Sequence, residues 1–208
     1  MTRIIDLSPR LTPSIAVWPG DVPLVREVAM SFAGGDHLEL SALRATVHLG
    51  AHADAPSHYH RSGQDIAERP LDRYYGPCEV MWVRVQAGAR ILPRDLPYAP
   101  SSPRVLLRTG TFLDPERFDT DFASLSPELV EHLADLGVVL VGIDTPSVDP
   151  FSSKQLESHQ ALFRRDVAVL EGLVLEQAPP GPYTLVALPL RLVGFDASPV
   201  RAALISPS

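Results

Sequence analysis

Cys78 is the only cysteine in the chain, so no intrachain disulfide can staple the fold and a reducing compartment suits it. It lies in the strand-like run Cys78 to Val85 and reads as a small buried side chain, not a nucleophile or ligand. No segment approaches the roughly 18 to 20 apolar residues that a membrane span needs. The stretch Met1 to Pro9 has none of the apolar length of a signal peptide, so a soluble, cytoplasmic protein is expected. Runs of lysine or arginine are missing too. With a net charge of -7 and a pI near 5.4, the chain offers no field for nucleic acid or an anionic membrane, and its expected partner is a small molecule. There is no internal repeat, no low-complexity tract and no composition break, and 208 residues at 45% apolar predict one domain over residues 1–208.

What is present begins with proline, 21 residues in 208, about twice the usual roughly 5% and scattered, which predicts many ordered loops. Short β-type runs recur at 3–7, 24–30, 38–48, 79–85, 104–109, 138–144, 167–170, 183–188 and 200–205. One helix is bounded at both ends: Ser126 caps it, Pro127 opens it, Leu129, Leu133 and Leu136 share a face, and Gly137 stops it. A shorter helix is expected from Ser158 to Arg165, with His159 in its first turn. The fold class is α/β with a mixed sheet, helices outside and long loops at the strand ends.

The densest chemistry falls between Val47 and Arg61, where His48, His52, Asp54, His58 and His60 crowd together. Imidazole and carboxylate are ligands for zinc, manganese or cobalt, and so many of them in one short stretch point to a metal site. In a continuous strand His48 and His52 would stand about 13 Å apart, too far to share an ion. The strand ending near His48 must therefore bend, and Gly50 at the midpoint permits it. His48, His52 and Asp54 then give a mixed nitrogen and oxygen face with coordination positions left open, the mark of a catalytic site. His58, beyond Pro56, suits an acid or base that is not itself a ligand. His60, beside Arg61, reads as an exposed loop residue, and His37 and His132 as surface residues.

The pattern His48-x-Gly50-x-His52-x-Asp54-Ala55-Pro56-x-His58 resembles the signature of the cyclase-like metal hydrolases, in particular their bacterial kynurenine formamidase (arylformamidase) branch. The likeness extends to Trp18-Pro19-Gly20-Asp21, Arg108-Thr109-Gly110, the segment Gly142 to Pro150, Ser158-His159 and Leu170 to Leu173. It implies a swivelling β/β/α-type domain with a mixed, barrel-like sheet, assembled as a homodimer or higher homo-oligomer. It also implies two zinc ions per subunit, with manganese or cobalt as substitutes: His48, His52 and Asp54 on one, Asp54, His159 and Glu171 on the other. Spacing alone would leave His159 and Glu171 as ordinary solvated residues; only the resemblance makes them ligands. Trp18 matches a residue that lies against an aromatic substrate in its own or a neighbouring subunit, although a packing anchor is the other reading. Asp144 reads as a turn or support residue behind the ligands, and Arg108 as one that orders its loop.

The reaction implied is hydrolysis of N-formyl-L-kynurenine to L-kynurenine and formate in tryptophan degradation, by a metal-bridging hydroxide with His58 protonating the leaving nitrogen. A rival within the same superfamily is hydrolysis of a cyclic amide such as isatin. A non-catalytic metal-binding or sensory protein would need a closed ligand set and no spare histidine, and His58 argues against it.

Overall fold

The computed structural model describes residues 3–206, in which the short apolar runs become strands. In chain order the elements are β1 (Ile4–Asp6), β2 (Val25–Met30), β3 (Leu40–Arg44), β4 (His52–Asp54), α1 (Pro56–Tyr59), β5 (Tyr75–Trp82), β6 (Arg90–Ile91), β7 (Arg104–Arg108), β8 (Ser124–Leu125), α2 (Pro127–Asp135), β9 (Leu140–Ile143), α3 (Glu157–Arg165), β10 (Ala168–Glu171), β11 (Gly181–Val186), β12 (Ala197–Pro199) and β13 (Ala203–Ile205). Among the described residues no helix is long and apolar enough to cross a membrane.

Nine strands form one mixed, curled sheet in the order β1-β13-β11-β5-β7-β9-β10-β4-β12. Its centre, β5 to β10, is parallel, and the strands added on both sides are antiparallel. Both faces are covered, so every residue of β9 and β10 is buried. Alternation divides them: Val80, Leu106, Leu140 and Leu170 join one core. Met81, Leu107, Val141 and Val169 join another, under Leu129 and Leu133 of α2 and Leu162 of α3.

Helix α2 has the expected signals: the Ser126 side chain accepts from the Leu129 N–H, Pro127 occupies the first turn, and Gly137 lies at φ 83°. Leu136 is a correction, 45% exposed, because the helix ends at Asp135 and the chain has already turned away. Strand β5 begins four residues before the expected Glu79. It accommodates Pro77 because the pairing with β7 starts only at Glu79, so the proline faces a ladder on one side alone.

The strand expected to reach His48 is also corrected. It stops at Arg44, where its partner β2 runs out at Val25, and His48 sits in irregular chain. Gly50 makes the expected bend at φ 58°. It leads into β4, a separate three-residue strand held between β10 and β12 and too short to announce itself by periodicity.

Gly50 is packed from behind by Gly172, itself at φ 65°, where a Cβ would run into the Gly50 carbonyl. Gly172→Ala is therefore expected to lower stability by about 1–3 kcal/mol through backbone strain, more than a surface substitution does. Chemical denaturation measures this, and an unchanged midpoint would contradict the contact.

Candidate metal centre and its cavity

Strand β4 points Ala53 into the core, with Ala51 and Ala55 flanking it, and turns His52 and Asp54 to the opposite face. Antiparallel pairing sets His52 directly across from Glu171, the last residue of β10. The helical turn α1, started by Pro56, carries His58 back over the strand end. Helix α3 contributes His159 from its first turn, and the Gly50 bend returns His48 to the same place.

The residues predicted as ligands therefore converge. Asp54 Oδ1 lies 3.0 Å from His48 Nδ1 and 3.4 Å from His52 Nε2, while Oδ2 lies 3.4 Å from His159 Nε2. Glu171 stands 3.4 Å from His52 Nε2 through Oε2 and 3.4 Å from His159 Nε2 through Oε1. Asp54 is central, with one oxygen toward His48 and His52 and the other toward His159.

These donors fit a divalent cation. Both Asp54 oxygens and His159 Nε2 are buried with no partner in hydrogen-bonding geometry among the described residues, an arrangement that is costly unless something satisfies them. The outward nitrogens are already engaged: His52 Nδ1 with the Gly50 carbonyl at 2.8 Å, His159 Nδ1 with Asp149 Oδ2 at 2.8 Å, and His48 Nε2 with Asp196 Oδ2 at 3.1 Å. An oxygen behind each imidazole is the arrangement that orients histidines toward a metal. Ligand atoms of His52, Asp54 and Glu171 all lie within 4.8 Å of one another, as do those of His48, Asp54 and His58. His58 thus comes closer to the expected ligands than its separate role requires, its ring centroid 4.2 Å from that of His48.

Two carboxylates near the site escaped the sequence reading. Asp149 is fully buried and accepts from the Ser158 and His159 amides at 2.9 and 3.0 Å, so the β9–α3 connection folds back to cap the helix it leads into and holds the His159 ring. Asp196 accepts from both His48 and His58. Asp196 is placed by pairing across more than a hundred residues, and Asp149 by a connection whose path back to the helix start no sequence period announces.

A cavity of about 580 Å³ opens over this cluster, with His48, His52, His58, His159 and Glu171 on one side. Trp18 is on its wall, 4.9 Å from Phe151 and 5.3 Å from Phe118 between ring centroids, so within this chain it faces its own cavity. Asp144 accepts from the Thr109 and Gly110 amides and orders the loop after β7. Arg108 stacks on Trp82 at 4.2 Å. His60 corrects its reading as an exposed loop residue: it is half-buried at the end of α1, stacked on Phe163 with ring centroids 3.7 Å apart. Cys78 is buried, and that burial pushes its thiol up to about 12.

The sequence profile of the putative cyclase family matches residues 5–150, well over half of the chain. The chain belongs to the putative cyclase family. Among solved structures it is similar to a potential metal-dependent hydrolase with cyclase activity, at 26% identity and TM-score 0.84, with 100% of both chains covered. A predicted metal-dependent hydrolase from Bacillus stearothermophilus matches at 26% identity and TM-score 0.83, again over 100% of both chains. Isatin hydrolase A from Labrenzia aggregata shares the fold at 20% identity and TM-score 0.83, over 100% of this chain and 94% of that one. The family profile spans His48, His52, Asp54 and His58, whereas His159, Glu171 and Asp196 lie beyond it.

In this putative cyclase the charges of the cluster are mutually dependent. Burial works to raise the Asp54 carboxyl, but the imidazoles of His48, His159 and His52 outweigh it and hold Asp54 well below the usual carboxylate range. Burial likewise works to lower His48, yet Asp54 and Asp196 raise it to about 10. His159 is raised by Asp149, Asp54 and Glu171 against its own burial.

A group whose folded pKa is raised stabilises fully below its unfolded pKa and loses that contribution as pH rises through the folded value. For His48 this window runs from 6.5 to about 10. Protein stripped of metal by a chelator is expected to lose thermal stability steadily across that window. Protein loaded with a divalent cation such as zinc, whose binding would displace the proton from each nitrogen it engages, is expected to hold a flatter profile. Melting curves of the two forms make the comparison, and a stripped protein equally stable at both ends would contradict the pairing of His48 with the two aspartates.

Proposed function

We propose that this chain is a metal-dependent amidohydrolase acting on aryl formamides, with N-formyl-L-kynurenine hydrolysed to L-kynurenine and formate. The observation that carries the reading is a cation-fitting cluster, with His58 beside it, on the floor of a cavity walled by Trp18, Phe118 and Phe151. His48, His52 and Asp54 would hold one ion and Asp54, His159 and Glu171 a second, zinc by preference. Such an ion supplies a water acidified to a pKa of about 7 and a Lewis acid for the carbonyl oxygen. Likeness to structures described as a potential and a predicted metal-dependent hydrolase supports the same class.

The chain's own side chains account for the remaining needs. The aromatic wall binds the aryl ring and excludes water from it. His58, on the cavity surface, hands a proton to the leaving nitrogen, which would otherwise depart as a poor anionic leaving group. Arg108 and Lys154, the only lysine in the chain, also line the cavity and suit the amino-acid carboxylate of formylkynurenine, a group that isatin lacks. A homo-oligomer, most simply a homodimer, belongs to the same proposal. Its support is the β2–β3 ribbon, which has no third strand among the described residues and exposes Val25, Val28, Leu40 and Leu43 although two-stranded ribbons are marginal in water.

Zinc-loaded protein is expected to release kynurenine from formylkynurenine, followed by ultraviolet absorbance, to lose that activity with chelator, and to leave isatin largely untouched. Turnover of isatin alone would move the assignment to cyclic amides, and no turnover of either would favour a binding protein. His58→Ala is expected to keep its metal while turnover falls about 10²- to 10⁴-fold. Light scattering of the purified protein checks the assembly: twice the mass of one chain is expected, and Leu43→Glu should reduce it.

A further inference from the structure

Asp196 is placed with unusual firmness for a residue whose side chain is 47% exposed. Its carbonyl accepts from the Ala55 amide at 2.8 Å, and the carbonyl of Phe195 before it accepts from the Ile66 amide at 3.0 Å. The next residue, Ala197, opens β12 directly opposite Asp54. Backbone pairing on both sides thus brings the Asp196 carboxylate to the segment that carries Asp54, Pro56 and His58.

A single oxygen of that carboxylate, Oδ2, lies 3.1 Å from His48 Nε2 and 3.1 Å from His58 Nδ1. A carboxylate only accepts, so both nitrogens present N–H to it. That choice of tautomer leaves His48 Nδ1 facing Asp54 and His58 Nε2 as the atom free to exchange a proton. The chain therefore uses one anion to orient a residue of the ligand cluster and the neighbouring proton carrier together.

We propose that Asp196 is a positioning residue that fixes His58 as its Nδ1–H tautomer for proton transfer through Nε2 and holds His48 in its ligand orientation. This rests on the amidohydrolase reading for the reaction that His58 serves. In that reaction water adds to the formyl carbon and the carbon–nitrogen bond breaks. A proton from the water ends on the amine nitrogen, and Nε2 carries it.

The test uses zinc-loaded protein with Asp196→Ala, and with Asp196→Asn, which keeps an acceptor oxygen. Long-range 15N–1H spectra of histidine-labelled protein should show one Nδ1–H tautomer for His58 in the parent and a shift toward the Nε2–H form in Asp196→Ala, with Asp196→Asn retaining more of the parent form. Turnover of formylkynurenine should fall about 10- to 100-fold in kcat with KM changed less than about twofold, and zinc affinity by chelator competition should weaken about 10- to 100-fold. Adding Asp196→Ala to His58→Ala should cost less than about twofold more in kcat, because the first change acts through the second residue. An unchanged tautomer, or losses from the two substitutions that simply multiply, would overturn the proposal. The tautomer and zinc measurements need no substrate, so they judge Asp196 even if formylkynurenine proves to be the wrong compound.

Discussion

The buried carboxylate of Asp54 is the constraint around which the rest is organised. An ionised carboxylate withdrawn from water costs several kcal/mol unless positive charge or hydrogen bonds compensate, and both Asp54 oxygens lack hydrogen-bonding partners among the described residues. Protonation would be one escape, but the imidazoles of His48, His159 and His52 drive the carboxyl the other way. The anion is thus kept charged at the centre of a nest of nitrogens, a state that a cation completes. The bend at Gly50, the pairing of β4 with β10 and the start of α3 each deliver one of those nitrogens or hold one in place.

Around that centre sits a layer that does not touch the reacting atoms. The Gly50 carbonyl, Asp149 and Asp196 each take the nitrogen of an imidazole that points away from Asp54. Their placements differ in origin: one is backbone at a bend, one is the cap of a helix, and one follows from strand register. Rigidity behind the ligands, more than their identity, sets how well a site of this type holds a metal and steers a proton.

The sequence made legible whatever is local. His48, His52, Asp54 and His58 fall within eleven residues, so their density and the intervening glycine spoke for a metal without any knowledge of the fold. Helix α2 was marked by Ser126, Pro127 and Gly137, and β7, β9 and β10 by continuous apolar runs. His159 and Glu171 needed the family resemblance, because a helix-start histidine and a strand-end glutamate look solvated until α3 and β10 are packed against β4. Asp196 was not legible at all, since its role exists only after β12 pairs with β4, and Asp149, although inside the Gly142 to Pro150 stretch of the likeness, shows its role only when the β9–α3 connection folds back onto the start of the helix. Strands β4 and β12, three residues each, are stable only as members of the sheet, so no window of sequence could display them.

Topology explains why these pieces meet at one place. Strands β7, β9 and β10 are parallel, and their carboxyl ends supply Arg108, Asp144 and Glu171 to the same cavity, the edge where open α/β sheets commonly bind ligands. Strand β4 runs the other way, so its first residue, His52, meets the last residue of β10 at that same rim. Had β4 been parallel to β10 in place, the paired ends would have been opposite ones and His52 would have been carried away from Glu171. The antiparallel turn of a three-residue strand is thus what converts an ordinary binding edge into a cluster of nitrogen and carboxylate donors, with the aromatic wall rising beside it.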